Sequence, residues 1–108
     1  MTIELPAVVS AYFNAENAHD ADGVAACFGA DGEVRDERER HQGPDAIRAW
    51  KQASSARYAA TVALLDCTPT AHGCVVEGEV SGNFPGSPVV LGLDFQIEGE
   101  KISVLEIK

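Results

Sequence analysis

From Tyr58 to the end, short Gly- and Pro-bearing turns cut the sequence into four strand-like stretches, and this succession limits the fold more than any single motif. Tyr58 to Asp66 is mostly apolar, and Pro69 and Gly73 punctuate a turn. Cys74 to Phe84 sets Val76, Val80 and Phe84 against Glu77, Glu79 and Ser81. Pro85-Gly86-Ser87-Pro88 turns the chain, Val89 to Ile97 reads as a strand, Glu98 to Lys101 turns again, and Ile102 to Ile107 closes. Links this short join antiparallel neighbours.

Ahead of the strands the apolar period is helical. Leu5, Val8, Val9, Tyr12 and Phe13 predict a helix over 5–18, with Pro6 suited to its first turn. Asp20 can cap a second helix over 21–28, striped by Val24, Cys27 and Phe28. Gly43-Pro44-Asp45 starts a third, with Ile47 and Trp50 on its inner stripe, fading near Arg57. Helices first and strands after predict an α+β fold, three N-terminal helices on one face of a curved, mostly antiparallel sheet. Such a sheet twists, and helices against its concave side would enclose a cone-shaped apolar pocket.

At 108 residues the expectation is a single domain, 1–108, with a real core. Seventeen acidic against eight basic residues give a net charge of -9, which argues against a nucleic-acid partner and an anionic membrane surface. No apolar run approaches a membrane span and no leader-like pattern opens the chain, so the expected location is the cytoplasm. Cys27, Cys67 and Cys74 form no C-x-x-C pair, and an odd count in that compartment reads as reduced thiols. Cys67 and Cys74 flank a turn where a bridge is geometrically allowed, but the compartment argues against it. The chain has no His, Cys and carboxylate cluster and no Gly-rich phosphate loop, so neither metal nor cofactor is expected.

The segment Phe28 to Gly43 carries the candidate chemistry. A short strand there places Val34 and Asp36 on one face, Glu33 and Arg35 on the other. If Val34 faces the core, Asp36 points inward too, and an inward carboxylate is costly unless paired or used. Its ordinary partners would be Arg35, Arg38, Arg40 or His41. His41, in a charged run, and His19, beside Asp20, read as surface residues, and Glu77 and Glu79 as a solvated strand face.

Five segments together carry a family resemblance: Ala7 to Phe13, His19 to Val24, Phe28 to Val34, Gly43 to Trp50, and the closing Gly99-Glu100-Lys101-Ile102. In order and spacing they resemble the nuclear transport factor 2-like superfamily, among its SnoaL-like proteins and ketosteroid isomerases. The resemblance spans nearly the whole chain. It implies a cone-shaped pocket for a small apolar molecule, though this fold hosts many activities. The isomerase mechanism, a worked case of pKa tuning, joins an Asp base to an oxyanion hole of a Tyr and a protonated Asp. Carried over by residue, the tyrosine falls on Tyr12 and the base on Asp36 with no gap between them. The second acid falls near Asp94, which is out of phase with Leu93, Phe95 and Ile97. Either a bulge brings Asp94 inward or Leu93 takes that site. Glu37 stands where the isomerases favour Pro after the base. Phe28, Val34, Trp50 and Phe84 are the expected pocket walls.

Two functions follow as expectations. One is metal-free isomerase-like chemistry, Asp36 shifting a proton next to a carbonyl while Tyr12 polarises an oxygen; a hydratase or cyclase-type lyase is allowed by the same fold. The other is a non-catalytic ligand-binding or dimerisation domain. The apolar row Leu91, Leu93, Phe95 and Ile97 either lines the pocket or meets a second subunit, and a sheet-to-sheet homodimer is expected.

Overall fold

The computed structural model describes residues 3–108; residues 1 and 2, which open the expected domain span, lie outside them. Helix α1 (Ala7–Asn17) buries Val9, Tyr12 and Phe13 at the spacing of one helical face. Helix α2 (Ala21–Ala26) is capped by Asp20, whose side chain accepts from the Gly23 N–H at 3.0 Å. Helix α3 (Pro44–Tyr58) begins after Gly43 at φ 90° and ends at Ala59 in the left-handed region. Tyr58, expected to open a strand, is still helical.

Strands β1 (Phe28–Asp36), β2 (Glu39–Gln42), β3 (Thr61–Pro69), β4 (Gly73–Ser81), β5 (Val89–Glu98) and β6 (Lys101–Ile107) form one sheet in the order β2-β1-β6-β5-β4-β3. Every pairing is antiparallel except β1 with β6. That parallel pair brings the first strand beside the last, so residues near Asp36 meet the end of the chain. Strand β2 lies inside the charged run that sequence reading left unstructured.

One sheet face holds Cys74, Val76, Gly78 and Val80 opposite Phe95, Leu93, Leu91 and Val89. Its Phe95 packs on α1, while α3 packs on β1 and β2. Tyr12 stands edge-on to Phe95 at 5.3 Å and to Phe13 at 5.2 Å, which anchors α1 to the sheet. The opposite face pairs Val75 with Asp94, Glu79 with Val90, and Asp94 with Glu106. Asn17 closes the β3 edge. Its side-chain amide donates to the Val62 carbonyl at 3.0 Å and accepts from the Val62 N–H at 2.8 Å, as a neighbouring strand would. Cys27, Cys67 and Cys74 are free thiols, and burial together with its bond to Cys67 pushes Cys74 up to about 12.

Glu33 sits on the opposite side of β1 from Val34, yet it is buried beneath two guanidinium groups. Arg40 holds it with two hydrogen bonds, at 2.9 and 3.0 Å, and Arg35 adds a third. These charge-assisted bonds hold the Glu33 carboxyl down to about 2, against an ordinary value of 4.5. A depressed carboxylate stabilises the fold fully above the unfolded value and stops doing so as pH falls through the folded one. Glu33→Gln is therefore expected to cost about 1 to 3 kcal/mol at neutral pH. The gap from wild type should shrink when urea unfolding is repeated at pH 3; an unchanged gap would show that the bonds to Arg35 and Arg40 do not act through charge.

Candidate active site

Asp36 ends β1 at the head of a tight hairpin. Glu37 and Arg38, the two turn residues, both have positive φ, 51° and 67°. Two-residue hairpin turns of this hand favour Asn and Gly, so Glu and Arg here carry local strain. Strand alternation turns Asp36 inward with Val34, and α3 crosses beneath it. The Trp50 indole N–H donates to Asp36 Oδ2 at 3.0 Å. None of the expected cationic partners holds Asp36: Arg35 and Arg40 are on Glu33, and Arg38 is exposed. Burial raises the Asp36 pKa above its ordinary 3.8, and the Glu37 charge adds to this. The Trp50 bond, a Glu37 backbone N–H and nearby His41 pull the other way without cancelling it. His41, read as a surface residue, is half-buried, its ring 6.2 Å from that of Trp50, because its place opposite Val34 turns it inward.

Asp36 opens onto a cavity of about 550 Å³ between α1, α3 and the concave sheet. Tyr12, Glu16, Trp50 and Ser54 line it from the helices; Val62, Val80, Leu91, Leu93 and Ile107 line it from the sheet. At its rim the Tyr58 hydroxyl donates to Glu37 Oε1 at 2.7 Å, Phe84 meets the Tyr58 ring edge-on at 5.9 Å, and Arg57 lies over that ring. Tyr58 thereby clamps the strained turn that follows Asp36.

The cavity brings together four of the expected residues, Tyr12, Asp36, Trp50 and Phe84. Phe28 and Val34, expected as pocket walls, do not line it: both are buried in the core, with Phe28 packed edge-on to Tyr12 at 6.3 Å. Asp94 is not in the cavity either. No bulge intervenes between it and Leu93, so strand phase turns Leu93 inward and Asp94 to the outer face beside Glu106. The row Leu91, Leu93, Phe95 belongs to the cavity and core, which accounts for its apolar character.

Sequence reading missed Glu16 and Lys51. Lys51 is 2% exposed, and its Nζ lies 3.1 Å from Glu16 Oε2, the oxygen that also accepts the Tyr12 hydroxyl at 3.4 Å. Helical spacing alone carried a signal, since Glu16 follows Tyr12 by four and Lys51 follows Ile47 by four, on the buried stripe. Among the described residues, no group of three His, Cys, Asp or Glu side chains is placed to hold a metal, and no helix is long and apolar enough to cross a membrane.

This conical α+β fold, with an apolar cavity that carries a few inward polar groups, is the fold of the nuclear transport factor 2-like class. The model of the SnoaL-like domain matches residues 9–104, and the chain belongs to that family. A proposed polyketide cyclase from Sinorhizobium meliloti is similar at 38% identity, over 96% of this chain and 95% of that one, with a TM-score of 0.93. A Sphaerobacter thermophilus protein is 28% identical over 97% and 96% of the two chains, with a TM-score of 0.82. A Catenulispora acidiphila protein with a ketosteroid isomerase-like fold, solved with trimethylamine, shares the fold at 20% identity, 97% and 86% coverage and a TM-score of 0.85. Among curated proteins, none matches this sequence.

Proposed function

We propose that this protein binds a small, largely apolar molecule in the cavity and that Asp36 takes a proton from it, next to a carbonyl. The observation that carries this reading is the Asp36 carboxylate: it is turned into an apolar cavity, held by Trp50 and free of arginine. In the proposed step a C–H bond breaks and an O–H bond forms on Asp36. The electron pair moves into the carbonyl, and the proton returns at a different carbon, so the net change is an isomerisation needing no metal or cofactor. Burial favours this use, because a base with a raised pKa binds the abstracted proton more strongly.

Asp36→Asn is expected to reduce turnover by about 10²- to 10⁴-fold, the usual contribution of a positioned base. The assay is a panel of enolisable ketones that includes unsaturated steroids. Wild-type turnover should also fall as acid protonates Asp36. A variant that keeps wild-type turnover excludes Asp36 as the base.

A second reading, ligand binding without catalysis, is favoured by a specific absence. Where the resemblance implies a second oxyanion donor, the residue turned to the cavity is the apolar Leu93, and the Tyr12 hydroxyl is bonded to Glu16. Under this reading the same ketones bind, seen by calorimetry, and none turns over.

The expected homodimer loses its original motive, since the apolar row faces the cavity. The outer face offers Val75, Val90 and Val104 among Glu77, Glu79, Asp94 and Glu106, and two such faces would oppose like charges. Pairing by that face remains a proposal, and it predicts a sedimentation mass twice 11.4 kDa at micromolar concentration. A monomer mass would remove it.

A further inference from the structure

Acids outnumber bases in this chain by seventeen to eight, so no basic side chain lacks a partner for want of carboxylates. Every lysine and arginine but two has its charged group on a carboxylate or, for Lys101, on the Ala26 carbonyl. The exceptions among the described residues are Arg38 and Arg57. Arg38 sits on the exposed hairpin turn and does not line the cavity, whereas Arg57 does. The Arg57 guanidinium lies over the Tyr58 ring, 5.2 Å from its centroid, a cation–π contact that holds the charge at the rim. That contact gives its N–H groups no acceptor oxygen, and they form a planar fork matched to a carboxylate. Glu37, on the same rim, accepts the Tyr58 hydroxyl and does not pair with Arg57. Further in, the walls are apolar, with Val62 and Leu93 buried.

We propose that Arg57 is a specificity-determining residue, seating a ligand carboxylate at the mouth while the apolar body of the ligand fills the cavity. This rests on the reading of the cavity as a small-molecule site. It narrows the ligand to an apolar carboxylic acid and gives it one orientation, acid outward. One guanidinium balances one carboxylate. The carboxyl groups of Asp36 and Glu37, which share the cavity with Arg57, weigh against a doubly charged group such as a phosphate.

Arg57 is exposed, so its pull is that of a solvated charge and weakens with salt. The test is calorimetric titration of the full chain at neutral pH and low salt. The probes are adamantane-1-carboxylate and 1-adamantanemethanol, one rigid body bearing either an acid or an alcohol. Wild type is expected to bind the carboxylate about five-fold more tightly than the alcohol. Arg57→Gln should abolish or reverse the preference, because the acids of the cavity then act unopposed. Arg38→Gln removes the same charge outside the cavity and should keep the preference. Wild type that binds the alcohol equally or more tightly overturns the proposal and leaves the cavity reading intact. So does an Arg57→Gln variant that keeps the preference. An Arg38→Gln variant that loses as much as Arg57→Gln also overturns it, since net charge then explains the effect. If neither probe binds nor shifts the Trp50 indole resonance, the cavity reading fails and the proposal fails with it.

Discussion

Lys51→Ala is expected to destabilise the fold by about 3 to 5 kcal/mol, the usual consequence of removing one partner of a buried ion pair. The variant leaves Glu16 inside, with its side chain only 13% exposed and the Tyr12 hydroxyl as its remaining hydrogen-bond partner. It also opens a void where the lysine stem packed between α3 and α1, a second cost of the same sign. Because water reaches Glu16 through the cavity, the lower end of the range is the better figure. Urea unfolding at pH 7 measures the effect, and Glu16→Leu with Lys51→Met is the control. The double change should cost far less than Lys51→Ala alone, since no charge is left without a partner. A Lys51→Ala variant within about 1 kcal/mol of wild type, the range of exposed ion pairs, would mean that the pair is effectively solvated.

Gly73→Ala is expected to be nearly as damaging, for a reason unconnected with charge. Gly73 opens β4 opposite Gln96, and a Cβ there would overlap the carbonyl oxygen of Phe95 and crowd the Gln96 backbone. A flexible side chain could rotate out of the way, but backbone cannot. The β4–β5 pairing must part at that end, where the Ile97 N–H also donates to the His72 carbonyl at 2.7 Å. Phe95 is wholly buried against Tyr12 and Phe13, so the disturbance passes straight into the core behind the cavity. Overpacking of this kind costs about 1 to 3 kcal/mol or more, and backbone against backbone belongs at the top of the range. In a thermal melt that is a fall of about 10 °C or more for a domain of this size. Gly92→Ala is the matched control, because a Cβ at Gly92 meets nothing nearer than the Lys108 carbonyl at 3.7 Å. Equal melting temperatures for the two variants would show that β4 and β5 separate at no cost.

Much of this molecule is written in local pattern. Val9, Tyr12 and Phe13 recur at the spacing of one helical face, and the Gly43-Pro44 start marks α3, because burial of an amphipathic face rewards that period wherever the helix docks. The alternation of Val76 and Val80 with Glu77 and Glu79 likewise marks β4 and the side it presents to the core. Asp36 could be singled out for the same reason: its phase with Val34 is a property of the strand, independent of what the strand meets. The phase of Asp94 was equally open to reading and pointed to the outer face, where it lies.

What the sequence alone could not determine depends on partners distant along the chain. Strand β2 is built from Glu39, Arg40, His41 and Gln42, and no apolar alternation announces it; it exists because the β1 edge offers hydrogen bonds and Glu33 draws Arg40 across. The parallel pairing of β1 with β6 joins segments some seventy residues apart, and only closure of the whole sheet decides it. Phe28 and Val34 are apolar in the right phase, but whether such residues wall the cavity or lie beneath it depends on how far α1 stands off the sheet. Glu16 and Lys51 are ordinary helix-surface residues by type. Docking α1 against α3 removes both from water at one point, and the cost of burying either charge alone is what turns them into a pair.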